Sequence, residues 1–423
     1  MAIKIGSDLF ERLRHRGVSE VVSGIFARES IELVDKYGAR NYHPLPVNVA
    51  RAEGSRVWDS DGNEFIDCIG AYSAVSHGHL NRFIVETAEE QLRKLSLTSR
   101  ALHSSELGLF LEALCLYTDL DKACPINSGA EAIETCIKLA RKWGYSIKGI
   151  PAEKAEIIVA SGNFHGRTTT IVGFSSEEAY KDQFGPFTPG FKLIDFDNLK
   201  ALDAAITDQT CAVLLEPIQA EGGVIIPHSG YLAGVREICT RHKVLLIWDE
   251  IQTGFGRTGK RFAWQWEDAK PDLMAVGKAL GGGIYPVSAA VGSNEVLELF
   301  KPGDHGSTFG GNPLACAIGL AALAEMVTEN YADLAESKGK YLRAGFSSLD
   351  SGKIKEVRGK GLLIGLEVNS DVDGSDLTRR FIGEGLLTKE TRHNTFRFAP
   401  PLTIEMELLE SVVEKVGRAL RDC

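Results

Sequence analysis

Hydrophobic positions along the chain follow two rhythms. Short, solidly apolar runs stand at Ile157–Ala160, Ala212–Leu215, Val244–Trp248 and Leu273–Val276. Runs apolar on both faces predict strands of a buried, mainly parallel sheet covered by helices. Apolar positions at steps of three and four, as in Ile133, Cys136, Ile137 and Ala140, predict helices between them. A helix with a small-residue face is expected over Pro313 to Thr328. Beyond it the pattern predicts a charged helix, a glycine-rich strand pair over Val357–Val368, an extended Phe396–Leu402 and a closing helix from about Glu405. At the other end, Asp8 to Glu32 reads as partly amphipathic helix, and Tyr42-His-Pro-Leu-Pro46 cannot be helical. The expected architecture is α/β: a large domain over 83–328, a smaller α+β domain over 329–423, and an N-terminal segment 1–82 packing with the smaller domain.

Composition narrows the class. The 423 residues are 44% hydrophobic and 25% charged, which excludes disorder, collagen and coiled coil. Forty-seven basic against 57 acidic residues give a formal charge of −10, so nucleic acid is not an expected partner. Forty-four glycines in a non-repetitive chain suggest tight loops of the kind that approach anionic cofactors. The eight cysteines, at 68, 115, 124, 136, 211, 239, 316 and 423, show no CxxC spacing and mostly sit in apolar runs, as free buried thiols do. The longest apolar stretch, roughly Leu314 to Ala324, is too short to cross a bilayer. Asp8, Glu11 and Glu20 oppose an acid-poor presequence, so a cytoplasmic enzyme is the default, with the mitochondrial matrix left open.

In open parallel sheets, ligands bind beyond the carboxyl ends of the strands. The residues just after each run are therefore informative: Ser161 to Arg167, Glu216 to Glu221, Asp249 to Gln252, and Gly277-Lys278. No His/Cys metal spacing accompanies them, so no metal is expected. Gly254-Phe-Gly-Arg-Thr-Gly-Lys260 imitates a phosphate-binding P-loop, but Arg261 stands where a magnesium-binding hydroxyl is needed. Lys278, at a strand end before Gly281-Gly-Gly283, could form a Schiff base if desolvation lowers its pKa; the plain alternative is a solvated surface lysine. Its companions favour the first reading. Pyridoxal 5'-phosphate needs an acid on its pyridine nitrogen, which Asp249 could supply, and a phosphate cradle at a helix start, which Asn127-Ser-Gly-Ala130 could supply. It also needs ring-stacking groups, and Phe164 and Ile251 each follow a strand. Singly, Asp249 and Ser128 could be ordinary caps; together with the lysine they favour the cofactor.

Six segments then carry a resemblance: Tyr42-His-Pro-Leu-Pro-Val, Asn127-Ser-Gly-Ala-Glu-Ala, Glu216-Pro-Ile-Gln, Asp249-Glu-Ile-Gln-Thr-Gly, Gly277-Lys-Ala-Leu-Gly-Gly-Gly and Gly306-Ser-Thr-Phe-Gly-Gly-Asn-Pro. From about residue 35 onward the chain resembles the ω-aminotransferase subgroup of fold-type-I pyridoxal-phosphate enzymes. Asn41-Tyr-His-Pro, Arg141-Lys-Trp-Gly-Tyr, Phe184-Gly-Pro-Phe and Arg397-Phe-Ala-Pro-Pro are similar to the ornithine δ-aminotransferases within it. The resemblance implies that Lys278 carries the cofactor and moves protons, that Asp249 pairs the pyridine nitrogen and that Gln252 meets the phenolic oxygen. It implies that Ser128, Gly129 and Ala130 hold the phosphate, with Ser307 and Thr308 reaching it from a neighbouring subunit of a homodimer. Phe164, His165 and Ile251 would enclose the ring. L-Ornithine would be gripped by Tyr42 and Arg167, with Tyr72 as an aromatic wall. Arg397, masked by Glu221 in the first half-reaction, would bind the α-carboxylate of 2-oxoglutarate in the second. The plain alternative for Glu221 and Arg397 is a structural ion pair. Two departures bear on the donor: His165 stands where the acetylornithine group commonly carries histidine, and Ala220 precedes Glu221 in place of glycine. Acetylornithine and 4-aminobutyrate aminotransferases, and a same-fold racemase, are the competing activities; a P-loop ATPase and a silent cofactor-binding protein are those of other classes.

Overall fold

The computed structural model describes residues 7–23, 25, 27–349, 352–392 and 394–421. A seven-stranded sheet lies at its centre: Lys122–Ile126 (β4), Glu156–Ala160 (β5), Phe191–Ile194 (β6), Thr210–Leu215 (β7), Leu245–Asp249 (β8), Leu273–Val276 (β9) and Ser288–Gly292 (β10), in the order β4-β10-β9-β8-β7-β5-β6. Strands β9, β8, β7, β5 and β6 run parallel, and β10 runs antiparallel to both β9 and β4. The ends of β4, β5, β7, β8 and β9 therefore open on one edge. Every residue of β7, β8 and β9 is buried, which is why these strands read as unbroken apolar runs.

Two smaller four-stranded sheets accompany the central one, and the first joins the chain's two ends. Val49–Glu53 (β1), Arg56–Asp59 (β2) and Glu64–Asp67 (β3) form an antiparallel meander to which Leu386–Leu387 (β13) adds in parallel, Leu386 opposite Ile66. Ile354–Lys360 (β11), Leu363–Val368 (β12), Thr395–Phe398 (β15) and Lys389–Glu390 (β14) make the other sheet, in that order. The expected glycine-rich strand pair is β11–β12. The extended segment after Phe396 leaves its sheet at Ala399, whose N–H donates to Cys68 O (2.8 Å), while Leu402 N donates to Ser76 O (2.9 Å).

Local signals set the helix limits. The Gly129–Ser146 helix opens on a capping box: Ser128 Oγ accepts from Glu131 N, and the Glu131 carboxylate accepts from Ser128 N at 2.7 Å. The Pro313–Thr328 helix has proline in its first turn and Asn312 accepting from Ala315 N at 2.9 Å. Its small face lets another helix approach, since a Cβ on Gly319 would lie 2.5 Å from the Phe110 ring. The N-terminal helix is not continuous. It divides into Ser7–Arg16, Val18–Ser23 and Ala27–Tyr37, with Gly17 at φ 79° making the first break.

The Gly254–Lys260 loop is no phosphate cradle. A short 3₁₀ turn, Ala263–Trp266, follows it instead of a helix, and Arg257 is fully buried. The Arg257 guanidinium donates to Leu362 O (3.1 Å), Pro400 O (2.6 Å) and Ser76 Oγ (3.0 Å), fastening the central sheet's loop to both smaller sheets. The loop is a structural clasp. Seven cysteines are free, five of them buried, and Cys423 lies outside the described residues. Among the described residues no helix is long and apolar enough to cross a membrane, and no group of acidic, histidine and cysteine side chains could hold a metal ion.

Candidate active site

Three cavities meet at Lys278, on the edge where the parallel strands end. The lysine lies two residues beyond the end of β9 with φ 46°, in the left-handed region, a conformation that costs a non-glycine residue about 1 kcal/mol or more. Gly277 before it is packed too tightly for a side chain, since a Cβ there would lie 2.5 Å from Ser288 Oγ. Burial drives the Lys278 ammonium down to about 8 from an ordinary 10.5, even though Glu221 and Asp249 pull it upward. A lysine near 8 is partly neutral at physiological pH and can act as nucleophile and base.

The smallest cavity, about 170 Å³, is enclosed by Phe164, His165, Asp249, Ile251, Gln252 and Lys278. Asp249 ends β8. Its Oδ2 accepts from His165 Nδ1 at 2.7 Å and its Oδ1 from Ile251 N at 3.1 Å. A carboxylate only accepts, so His165 Nδ1 donates in this pair. His165 Nε2 and Gln252 Oε1 are buried without a partner among the described residues. Ser128 and Gly129 border an adjoining cavity of about 390 Å³ at the start of the Gly129–Ser146 helix, where free N–H groups favour an anion. A side chain on Gly129 would press on Ile251, 2.9 Å from its Cδ1, and so crowd both cavities.

These residues fit pyridoxal 5'-phosphate. A buried amine, a fixed carboxylate and orphaned polar atoms border one cavity, and a glycine-opened helix start joins it to the next. Ala130 borders the smaller cavity rather than the helix-start one. Ser307 Oγ accepts from Asn127 Nδ2 at 2.8 Å, so that hydroxyl lies beside the helix start. Thr308 is exposed and borders none of the three cavities.

The third cavity, about 730 Å³, runs outward from Lys278 past Glu221, Arg397 and Tyr72 to Arg167 and Tyr42. Arg397, buried on β15, is ion-paired through Nη1 with Glu221. Burial pushes the Glu221 carboxyl up, but Arg397 and Lys278 outweigh it and hold the group below its ordinary value. Gln252 Nε2 also donates to Glu221 Oε1 at 3.2 Å, linking the cofactor cavity to the ion pair. The Tyr72 ring lies 5.4 Å from the Arg397 guanidinium. Arg167, an exposed residue of the same cavity, makes no ion pair among the described residues and stacks at 3.6 Å on Tyr180.

Sequence reasoning missed several groups here. Gly70, Ala71, Tyr72 and Ser73 form a run of positive φ (54°, 45°, 58°, 75°), a left-handed turn that presents Tyr72 to the cavity. Asp67 Oδ1 anchors it by accepting from Ile69 N and Gly70 N at 2.9 and 3.0 Å. No hydrophobic period announces such a turn. Glu216, at the end of β7, accepts from Phe164 N at 3.1 Å, and burial beside Asp249 raises its pKa well above the carboxylate range. The sequence placed it among the strand-end residues and gave it no role. Tyr180 and Arg392, which line the same cavity as Tyr72, follow none of the apolar strand runs and carried no signal.

Known proteins provide an independent line. The model of the class-III aminotransferase family matches residues 37–420. An ornithine aminotransferase of Brevibacillus brevis is 47% identical over 390 residues, 92% of this chain and 97% of that protein. An ornithine aminotransferase 2 of Staphylococcus aureus is 49% identical over 386 residues, 91% and 97% of the two chains. Among solved structures, an ornithine aminotransferase of Toxoplasma gondii superposes with TM-score 0.92 at 39% identity, covering 94% of this chain and 95% of that one. An acetylornithine aminotransferase of Elizabethkingia anophelis gives TM-score 0.86 at 42% identity, covering 94% and 100%.

Proposed function

Because the chain belongs to the class-III aminotransferases, with the fold of type-I pyridoxal-phosphate transferases, we propose that it moves the δ-amino group of L-ornithine to 2-oxoglutarate. The products would be glutamate semialdehyde, which cyclises to pyrroline-5-carboxylate, and L-glutamate. The observation that carries this reading is the outer cavity. An arginine ion-paired with Glu221, and a second arginine without an ion pair among the described residues, line one cavity together with Lys278.

Pyridoxal phosphate, when bound, supplies an electron sink for the carbanion left after proton loss. Asp249, fixed by His165 and Ile251 N, would hold a positive charge on the pyridine nitrogen. The start of the Gly129–Ser146 helix would hold the phosphate, joined by Ser307 and Thr308 of a second copy in a homodimer. Phe164 and Ile251 would confine the ring and exclude water.

Ornithine must present its δ-amine, so its α-carboxylate belongs at the far end, on Arg167 and Tyr42. Lys278 Nζ, its pKa lowered to about 8, would take the proton from the δ-carbon. While Glu221 covers Arg397, a carboxylate next to the reacting amine finds no cation, which disfavours α-transamination. In the second half-reaction the α-carboxylate of 2-oxoglutarate would displace Glu221 and take Arg397 in a bidentate grip, its distal carboxylate resting on Arg167. The same reading divides the chain at 82/83 and 328/329, supported by the pairing of β3 with β13 across the two ends.

A second donor, acetylornithine, draws support from His165 and from the likeness to the Elizabethkingia anophelis protein. A donor panel with 2-oxoglutarate decides between them: ornithine, acetylornithine, 4-aminobutyrate and lysine. Ornithine is expected to give a kcat/KM at least tenfold above the others, and a preference for acetylornithine overturns the reading.

A further inference from the structure

The outer half of the substrate cavity holds a second arginine that the reading above does not use. Arg392 lies in the segment between β14 and β15 and borders the same cavity as Arg167. Its Nη1 pairs at 3.0 Å with Glu177, and its guanidinium carbon lies 5.8 Å from the centre of the Tyr180 ring. Arg167 stacks on that same ring at 3.6 Å. Arg392 Nη2 is buried with no hydrogen-bond partner among the described residues. Leaving such a donor unmatched is costly unless a nearby anion shares its field. Lys389 and Glu390, on the same hairpin, also border the cavity and offset one another in charge. Glu177 is occupied by Arg392. Arg167, stacked on the same tyrosine, is therefore the cation left without a counter-charge among the described residues.

We propose that Arg392 is a specificity-determining residue for the amine donor: it steadies Tyr180, and through it Arg167, whose charge favours donors with a carboxylate at the end remote from the reacting amine. The inference rests on the donor orientation given above. Arg392 acts through Tyr180, because its charge is paired with Glu177 and its free nitrogen is covered; it is a positioning residue. A zwitterionic donor end would turn its carboxylate inward and its ammonium toward solvent.

The test uses two halves of ornithine as donors to the full-length holoenzyme: 5-aminopentanoate, which keeps the remote carboxylate, and 1,4-diaminobutane, which lacks it. In Arg392→Met the ratio of their kcat/KM values is expected to fall about tenfold, roughly 1.4 kcal/mol. The loss should appear in the KM for 5-aminopentanoate, with kcat within about threefold of the parent. Arg392→Lys should recover part of the ratio, since it keeps the charge without the planar fork. Tyr180→Leu should lower the ratio similarly, and the double variant by less than the product of the two effects. Equal losses for both donors, or an unchanged ratio, overturn the proposal. The same comparison is made with pentanoate and 1-butylamine as competitive inhibitors of whichever donor turns over. If ornithine proves not to be a donor, the functional reading fails, while the inhibitor ratio still decides the role of Arg392.

Discussion

Replacing Glu221 by glutamine removes one charge and little volume from the centre of the site. Arg397 is almost wholly buried and Glu221 is its ion-pair partner, so the change leaves a desolvated guanidinium facing an uncharged amide. Two unit charges about 4 Å apart interact by about 4 kcal/mol at the effective dielectric of a partly solvated protein site. Any α-carboxylate that binds Arg397 in the parent must first displace Glu221. The amide still accepts a hydrogen bond, so about half of that energy should be released to the incoming ligand. That is about 2 kcal/mol, or roughly thirtyfold in affinity. The affinity for glutamate and 2-oxoglutarate should rise by that factor, measured by spectral titration of the two cofactor forms. The kcat/KM for glutamate relative to ornithine should rise at least tenfold in half-reaction assays. A second readout is independent of substrate. Glu221 raises the pKa of Lys278, so its loss should lower that pKa below about 8. If glutamate affinity stays within twofold of the parent, Glu221 does not compete for Arg397 and the pair is structural.

Capture of free pyridoxal phosphate by the cofactor-free protein requires neutral Lys278. Because burial lowers its pKa to about 8, the neutral fraction grows as pH rises and passes one half near pH 8; stopped-flow absorbance should show that midpoint, and a rate still climbing toward the ordinary lysine value of 10.5 would contradict it. Arg257→Met should leave the carbonyls of Leu362 and Pro400 without their donor, partly offset by relief from burying a charge. The expected cost is about 2 kcal/mol, seen as a melting temperature several degrees lower; an unchanged melt would remove the clasp role of the Gly254–Lys260 loop.

The parts of the molecule legible in the sequence are those where one physical demand acts on consecutive residues. Strands buried on both faces must be apolar throughout, so β7, β8 and β9 were readable to within two residues. The chemistry at their ends was readable for the same reason, because parallel strands deliver Glu216, Asp249 and Lys278 to one edge. The capping box at Ser128 is likewise local. What resisted reading depends on distant partners. The left-handed turn at Tyr72 is held in part by closeness to Ala399, whose carbonyl oxygen would lie 2.4 Å from a Cβ on Gly70. The cluster of Tyr180 with Arg167 and Arg392 joins a segment after β5 to a hairpin near the C-terminus. The Gly254–Lys260 segment shows the opposite hazard. It imitates a phosphate loop in composition, while its arginine is needed inside.

The parallel pairing of β3 with β13 has a consequence for synthesis. Ile66 and Leu386 are roughly 320 residues apart along the chain. At about 5–20 residues per second, β3 waits on the order of tens of seconds on the ribosome for its last neighbour. During that interval its edge is open to wrong partners, a period of need for chaperones. A nascent chain ending before β14 already contains Ser128, Asp249 and Lys278, yet lacks Arg392 and Arg397. The half of the site that seats the cofactor is thus made well before the half that selects the donor.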